Sequence, residues 1–158
     1  MPSSDKTFLA DQIDEIELLI PQHEKINPAV SKASVGWHLD HMIKVINGIY
    51  KALSQSDPSA YTSDFNFRRK LIFTAGFFPR GRARAPKSMR PPDIILAEDL
   101  LQQLAEACSH LLNFDSLHKN QFFNHYIFGA LNKEKAKRFI IIHTNHHLSI
   151  IRDIIKRN

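Results

Sequence analysis

Residues 133–156 read KEKAKRFIIIHTNHHLSIIRDIIK. At 100° per residue, Ala136, Ile140, His143, His147, Ile150 and Ile154 fall within about 80° of one another. This stretch predicts one long amphipathic helix over 133–156, with Asn132 as its N-cap and with Arg152, Lys156 and Arg157 near its end, where cations suit the helix dipole. Two histidines lie inside its apolar stripe, four residues apart, so they stack on one face. His146 falls about 60° to one side of His143, at a boundary position.

Working outward, the same periodicity recurs and strand-like alternation is nearly absent, so the expectation is an all-α protein. A first helix starts after Ser3 or Ser4 and ends before Pro21, with Leu9, Ile13, Ile16 and Ile20 as its stripe. A connector follows over 21–33. A second helix over 34–53, capped by Ser34, carries Val35, Leu39, Met42, Ile46, Ile49 and Leu53. SQSDPSA (54–60) ends it with turn chemistry. A third long helix over 95–117 places Leu100, Leu101, Leu104, Cys108, Leu111 and Leu112 at inward spacing. A loop with His125, Tyr126, Phe128 and Gly129 joins it to the last helix.

Residues 54–92 form a long connection, with a short helix over 65–73. The part PRGRARAPKSMRPP (79–92) reads as irregular, because proline and glycine interrupt regular structure. Loops this long inside a compact domain tend to be functional.

The length of 158 residues fits one domain spanning 1–158, and 43% hydrophobic residues suffice for a core. No apolar run reaches the roughly 18 residues that span a bilayer, so no membrane partner is expected. MPSSDKTFLADQ lacks the pattern of a signal peptide, and one cysteine excludes an internal disulfide. These features favour the cytoplasm. The net charge of +5 arises mainly from Arg68, Arg69, Lys70, Arg80, Arg82, Arg84, Lys87 and Arg90, a segment without an acid.

Imidazole is a common ligand for zinc and related ions. A lone core histidine is usually a satisfied structural residue. Two in one apolar stripe are costlier to bury without partners, and one ion would satisfy both. A further ligand must come from another helix, and WHLDH (37–41) offers His38 and His41. Periodicity places His38 nearer the centre of the stripe and His41 at its edge, and leaves both open.

The run SVGWHLDHMIKVINGIY (34–50) resembles the second helix of DinB-like proteins, in which a Trp shortly precedes a metal-binding His followed by an apolar residue. The run HYIFGALNKEKAKRFIIIHTNHHL (125–148) resembles a late segment of a DinB-like subgroup, where an H-P-x-F-G loop precedes a helix bearing HxxxH. Tyr126 stands where the subgroup has Pro, and Leu148-Ser149 where it has Gly-Gln. GRARAPK (81–87) also resembles the basic loop of that family. The resemblance covers most of the chain from about residue 31. It implies a four-helix bundle with a long crossover and a three-histidine site for zinc, nickel or a similar ion. It selects His41, with His143 and His147, as the metal ligands.

Relatives of that fold include transferases and isomerases dependent on low-molecular-weight thiols. The resemblance therefore implies a metal-dependent enzyme, a thiol S-transferase or a hydrolase, acting on a small-molecule substrate. Arg82 and Arg84 are candidates to hold carboxylates of an anionic thiol by bidentate contacts. His125 is the candidate for acid/base work, with a loop-capping role as its plain alternative. Trp37 and Phe128 are candidate pocket walls, although plain core is the preferred reading for Trp37. Asp40 precedes His41 and points elsewhere on the helix. Cys108 reads as a small buried hydrophobe.

Two other functions compete. The basic segment 68–90, with Phe73, Phe77 and Phe78, suits an anionic partner, but no nucleic-acid motif appears and such a partner is disfavoured. A metal-binding homodimer without turnover, joined through the Phe-rich crossover, is the other alternative.

Overall fold

The structure is a computed structural model that describes residues 3–81 and 84–156, with side chains from residue 8. The chain is mostly helical. Its long helices are α1 (Ser3–Leu19), α2 (Val35–Gln55), α4 (Ala97–Asn113) and α5 (Lys133–Lys156), and a short α3 spans Phe67–Ala75. A two-stranded sheet, β1 (Phe122–His125) and β2 (Gly129–Asn132), precedes α5. No described helix is long and apolar enough to cross a membrane.

Local chemistry sets the boundaries. The Ser34 side chain accepts from Trp37 N at 3.1 Å and starts α2. Asn66 does the same for α3 through Arg69 N at 2.9 Å, and Gly76, at φ 75°, ends α3 in the left-handed region. Asn132 accepts from Lys135 N at 3.2 Å at the start of α5. Pro21 closes α1 through a single 3-10 turn over Ile20–Gln22. The expected termini at Ser3 or Ser4 begin α1, but their side chains lie outside the described residues, as does Arg157.

Packing follows the stripes. α2 lies against both α4 and α5, and α1 touches the same two helices. The interior joins Ile16 of α1, Leu39, Met42, Ile46 and Leu53 of α2, Leu100 of α4, and Ile140 and Ile151 of α5. The expected stripes of the first and second helices are buried throughout. That of α4 needs correction. Leu101 is 47% exposed and Leu112 85% exposed, while Ala107 is buried. The inward line runs Leu100, Leu104, Ala107, with Cys108 and Leu111 partly buried beside it.

The segment expected as a loop around His125 is a hairpin. Phe122 pairs with Asn132 and His125 with Gly129. Its strands are four residues each, too short for alternation to show against helical neighbours. The turn lacks the Asn-Gly or Asp-Gly signal. Instead, His125 Nδ1 accepts from Ile127 N at 3.1 Å and from Phe128 N at 3.3 Å. Gly129 then reverses the chain at φ 71°. Arg69 ties this turn to α3: its guanidinium donates to Phe128 O at 2.7 Å and to Asp64 Oδ1 at 3.0 Å. Arg69 is buried, so it is a bolt in the fold rather than part of a solvated basic surface.

Among the described residues, the rest of the crossover is irregular as expected, apart from 3-10 turns at Pro58–Ala60 and Lys87–Met89. The second of these turns leans on α2, where a Cβ on Gly48 would come within 2.8 Å of Met89 Cε.

Candidate metal centre

α5 and α2 meet with their histidines face to face. His41, His143 and His147 each offer one ring nitrogen, and these three atoms lie within 4.8 Å of one another. His41 Nε2 and His143 Nε2 are 3.2 Å apart. A tetrahedral ion bound at about 2.0–2.1 Å separates its nitrogen ligands by about 3.4 Å, so the widest pair closes with ring tilts of about an ångström.

The hydrogen bonds behind the trio decide which atoms face inward. His41 Nδ1 lies 2.8 Å from Met89 O. A carbonyl only accepts, so Nδ1 carries the proton and Nε2 presents a lone pair. His147 Nδ1 lies 2.9 Å from His38 Nδ1, which leaves the Nε2 edge of His147 for the trio. His143 Nδ1 is covered and meets no hydrogen-bond partner among the described residues. Covered polar atoms without partners are rare, and this one sits on a ring of the trio.

The electrostatics agree with neutral rings. Burial is the first cause lowering the pKa of His41, His143 and His147, and the neighbouring imidazoles add to the effect on His143 and His147. Met89 O and Asp40 pull His41 the other way. Neutral imidazole is the ligating form, and three of them suit divalent ions such as zinc, nickel or copper. The donor set therefore fits an ion.

His38 stands behind the trio. Both of its nitrogens are engaged, with His147 on one side and Ser31 Oγ at 3.1 Å on the other. Periodicity was right that His38 is buried, but His41 is buried equally, at 4% exposure each. Asp40 points away, ion-paired to Lys44 at 2.6 Å and accepting from Gln103 at 3.0 Å.

The trio lines a cleft of about 410 Å³. Phe78, Phe128, Phe139, Val45 and Ile49 supply much of its apolar wall. Trp37 is part of that wall and stacks on His41 at 5.2 Å and 27°, so plain core is the wrong reading for it. His125 also lines the cleft. Because its Nδ1 accepts two backbone N–H groups, the neutral ring carries its proton on Nε2. Burial pushes its pKa down to about 4. His125 thus caps the turn and can also donate into the cleft; as built it is a neutral donor rather than a base. Arg84 is exposed at the cleft's edge, and Arg82 lies outside the described residues. His146 lines the cleft beside Phe78. Cys108 lies elsewhere, on α4, and burial raises its thiol pKa. Sequence reasoning missed Met89 O, because no local pattern links an irregular turn to a helix 48 residues earlier.

The profile of a family described as a protein of unknown function (DUF1569) matches residues 66–154. That span is more than half of the chain. The chain belongs to the DUF1569 family. No curated protein and no solved structure matches it. The DUF1569 span runs from α3 almost to the end of α5. It contains His125, His143 and His147, whereas His38 and His41 precede it. The candidate centre of this DUF1569 protein therefore joins two histidines from the matched span to one from outside it.

Proposed function

We propose that this protein is a divalent-metal-dependent enzyme of the DinB-like kind, built as a four-helix bundle. His41, His143 and His147 would hold one ion, zinc or nickel, at the floor of the apolar cleft. The observation that supports this best is the convergence of three imidazoles from two helices, with ring nitrogens within 4.8 Å of one another, on the wall of a cleft of about 410 Å³. A centre that opens on a cleft keeps a position for substrate, as catalytic sites do and structural sites do not.

A bound ion supplies Lewis-acid chemistry there, and stabilises a thiolate or a developing negative charge. The protein's own residues do the rest. The phenyl rings and Trp37 exclude water around the reacting group. His125 offers an Nε2–H donor to a substrate oxygen. Arg84 would hold a carboxylate at the rim. The reading favours S-transfer from a low-molecular-weight thiol, with hydrolysis as the other reaction of the same centre, in the cytoplasm, where Cys108 stays reduced.

Elemental analysis of untagged protein tests the centre. Wild type should carry close to one ion per chain, and His143→Ala much less. Equal, trace metal in both would end the reading. Thermal shift against a panel of low-molecular-weight thiols then addresses the substrate.

We also propose that the protein is a homodimer, and it has a candidate face for this. Phe65, Phe67 and Leu71 are 78%, 68% and 57% exposed on and beside α3. Phe73 and Phe78 pack inward instead, so only part of the Phe-rich crossover is available. Sedimentation of wild type against Phe67→Lys should show a dimer lost; two identical monomers would remove the dimer.

A further inference from the structure

We infer that His38 is a positioning residue of the candidate centre: it accepts the Nδ1 proton of His147 and so directs the lone pair of His147 Nε2 at the trio. The inference rests on the reading that the trio holds an ion.

The two Nδ1 atoms of His38 and His147 face each other at 2.9 Å. One proton lies between them, and there are two possible orders. In the first, His147 holds that proton on Nδ1, and its Nε2 is a free lone pair that can ligate. In the second, His38 holds it, His147 carries its own proton on Nε2, and ligation through Nε2 is blocked.

The far side of His38 accommodates the first order. With Nδ1 accepting, a neutral His38 has its proton on Nε2, 3.1 Å from Ser31 Oγ. That hydroxyl oxygen already accepts from Ala33 N at 3.1 Å, and it has a second lone pair for His38. The chain of donors is then complete: His147 Nδ1–H to His38, then His38 Nε2–H to Ser31, with Ala33 N–H closing on the same oxygen. Every hydrogen-bonding atom of His38 is used, so it has none left for the ion. The edge-on contact with Trp37, at 5.2 Å and 79°, holds the ring in place.

The centre therefore has two kinds of backing. His41 is set by the Met89 carbonyl, which has no proton to offer and permits one tautomer only. His147 is set by a side chain that permits two, and its fitness as a ligand depends on His38 and Ser31. Backing groups of this sort commonly govern metal affinity by ten- to a hundredfold.

The test uses zinc alone as the probe. Zinc affinity is measured by competition with a chromophoric chelator for wild type, His38→Leu, His38→Asn and Ser31→Ala. His38→Leu should lose about ten- to a hundredfold. His38→Asn can place its Oδ1 where Nδ1 stood, and should recover most of the loss. Ser31→Ala should weaken binding less than His38→Leu. Nitrogen-15 spectra of the imidazoles in zinc-loaded wild type should show His147 protonated at Nδ1 and His38 at Nε2.

Wild-type zinc affinity in a folded His38→Leu would overturn the inference and leave the metal centre standing. So would a His147 protonated at Nε2 in the loaded protein, which decides the matter even if the leucine variant fails to fold. A wild type that takes up no zinc would remove the centre and this inference together.

Discussion

A left-handed glycine and a buried guanidinium hold the turn that carries His125. Gly129 sits at φ 71°, and a Cβ there would come within 2.5 Å of Asp64 Oδ2. Backbone strain and the clash act together in Gly129→Ala, which should cost about 2 kcal/mol or more. The denaturant midpoint reads this directly, and an unchanged midpoint would show that the hairpin turn is looser than described. Arg69 acts through charge and hydrogen bonds instead. Arg69→Met leaves Phe128 O without its donor and Asp64 without its cation. Asp64 is 44% exposed, so water recovers part of the loss, and about 2 kcal/mol is expected. Loss of Arg69 should also release His125 from the cleft wall, seen as faster amide exchange at Ile127 and Phe128. From the sequence alone Arg69 is one more cation in an acid-free segment. Its burial depends on a turn about 60 residues later, which no local pattern announces.

At the scale of helices, the periodic argument works where one face is buried and weakens where a helix lies at an edge. α5 and α2 each pack on several elements, so their stripes are read correctly, and both α5 histidines of the trio follow from spacing alone. The choice between His38 and His41 does not follow. Both are buried, and what separates them is which partner each ring meets: Met89 O for one, Ser31 and His147 for the other. Resemblance to a family, not the wheel, selected His41. α4 shows the converse failure, because leucines there mark both the buried line and the solvent side. Leu104→Ala should cost about 2–5 kcal/mol, as buried leucines do. Leu112→Lys, at a position 85% exposed, should stay within about 0.5 kcal/mol of wild type. Thermal unfolding of the two variants separates them cleanly; a matched loss in both would mean that Leu112 is covered in solution by another surface.

For the whole molecule, the balance of charge is quieter than the composition suggests, and the histidines matter more. Arg69 is internal, and Arg80 is paired to Asp153 at 2.8 Å. The titrations that should dominate between neutral and acid pH are those of buried imidazoles. Burial lowers His38 and His125 from 6.5 to about 4, and lowers His146 as well. The unfolded chain takes up protons on these rings below about pH 6.5, whereas in the folded protein His38 and His125 do so only at about pH 4, and His146 below its ordinary value. In that window the unfolded state binds more protons, so stability is complete above pH 6.5 and falls on acidification. Each such ring contributes a slope of up to about 1.4 kcal/mol per pH unit. Metal-free protein should therefore show a melting temperature that is flat from pH 8 to about 7 and then drops steeply toward pH 4, and His125→Gln should flatten part of the drop. Saturating zinc should raise the whole curve above pH 6.5, because an ion that binds only the folded state stabilises it by mass action. The gain should shrink on acidification, since protons compete for the ligating nitrogens. A melting temperature indifferent to pH between 7 and 5 in metal-free protein would mean that these rings titrate normally, and that the interior around the trio is wetter than the geometry describes.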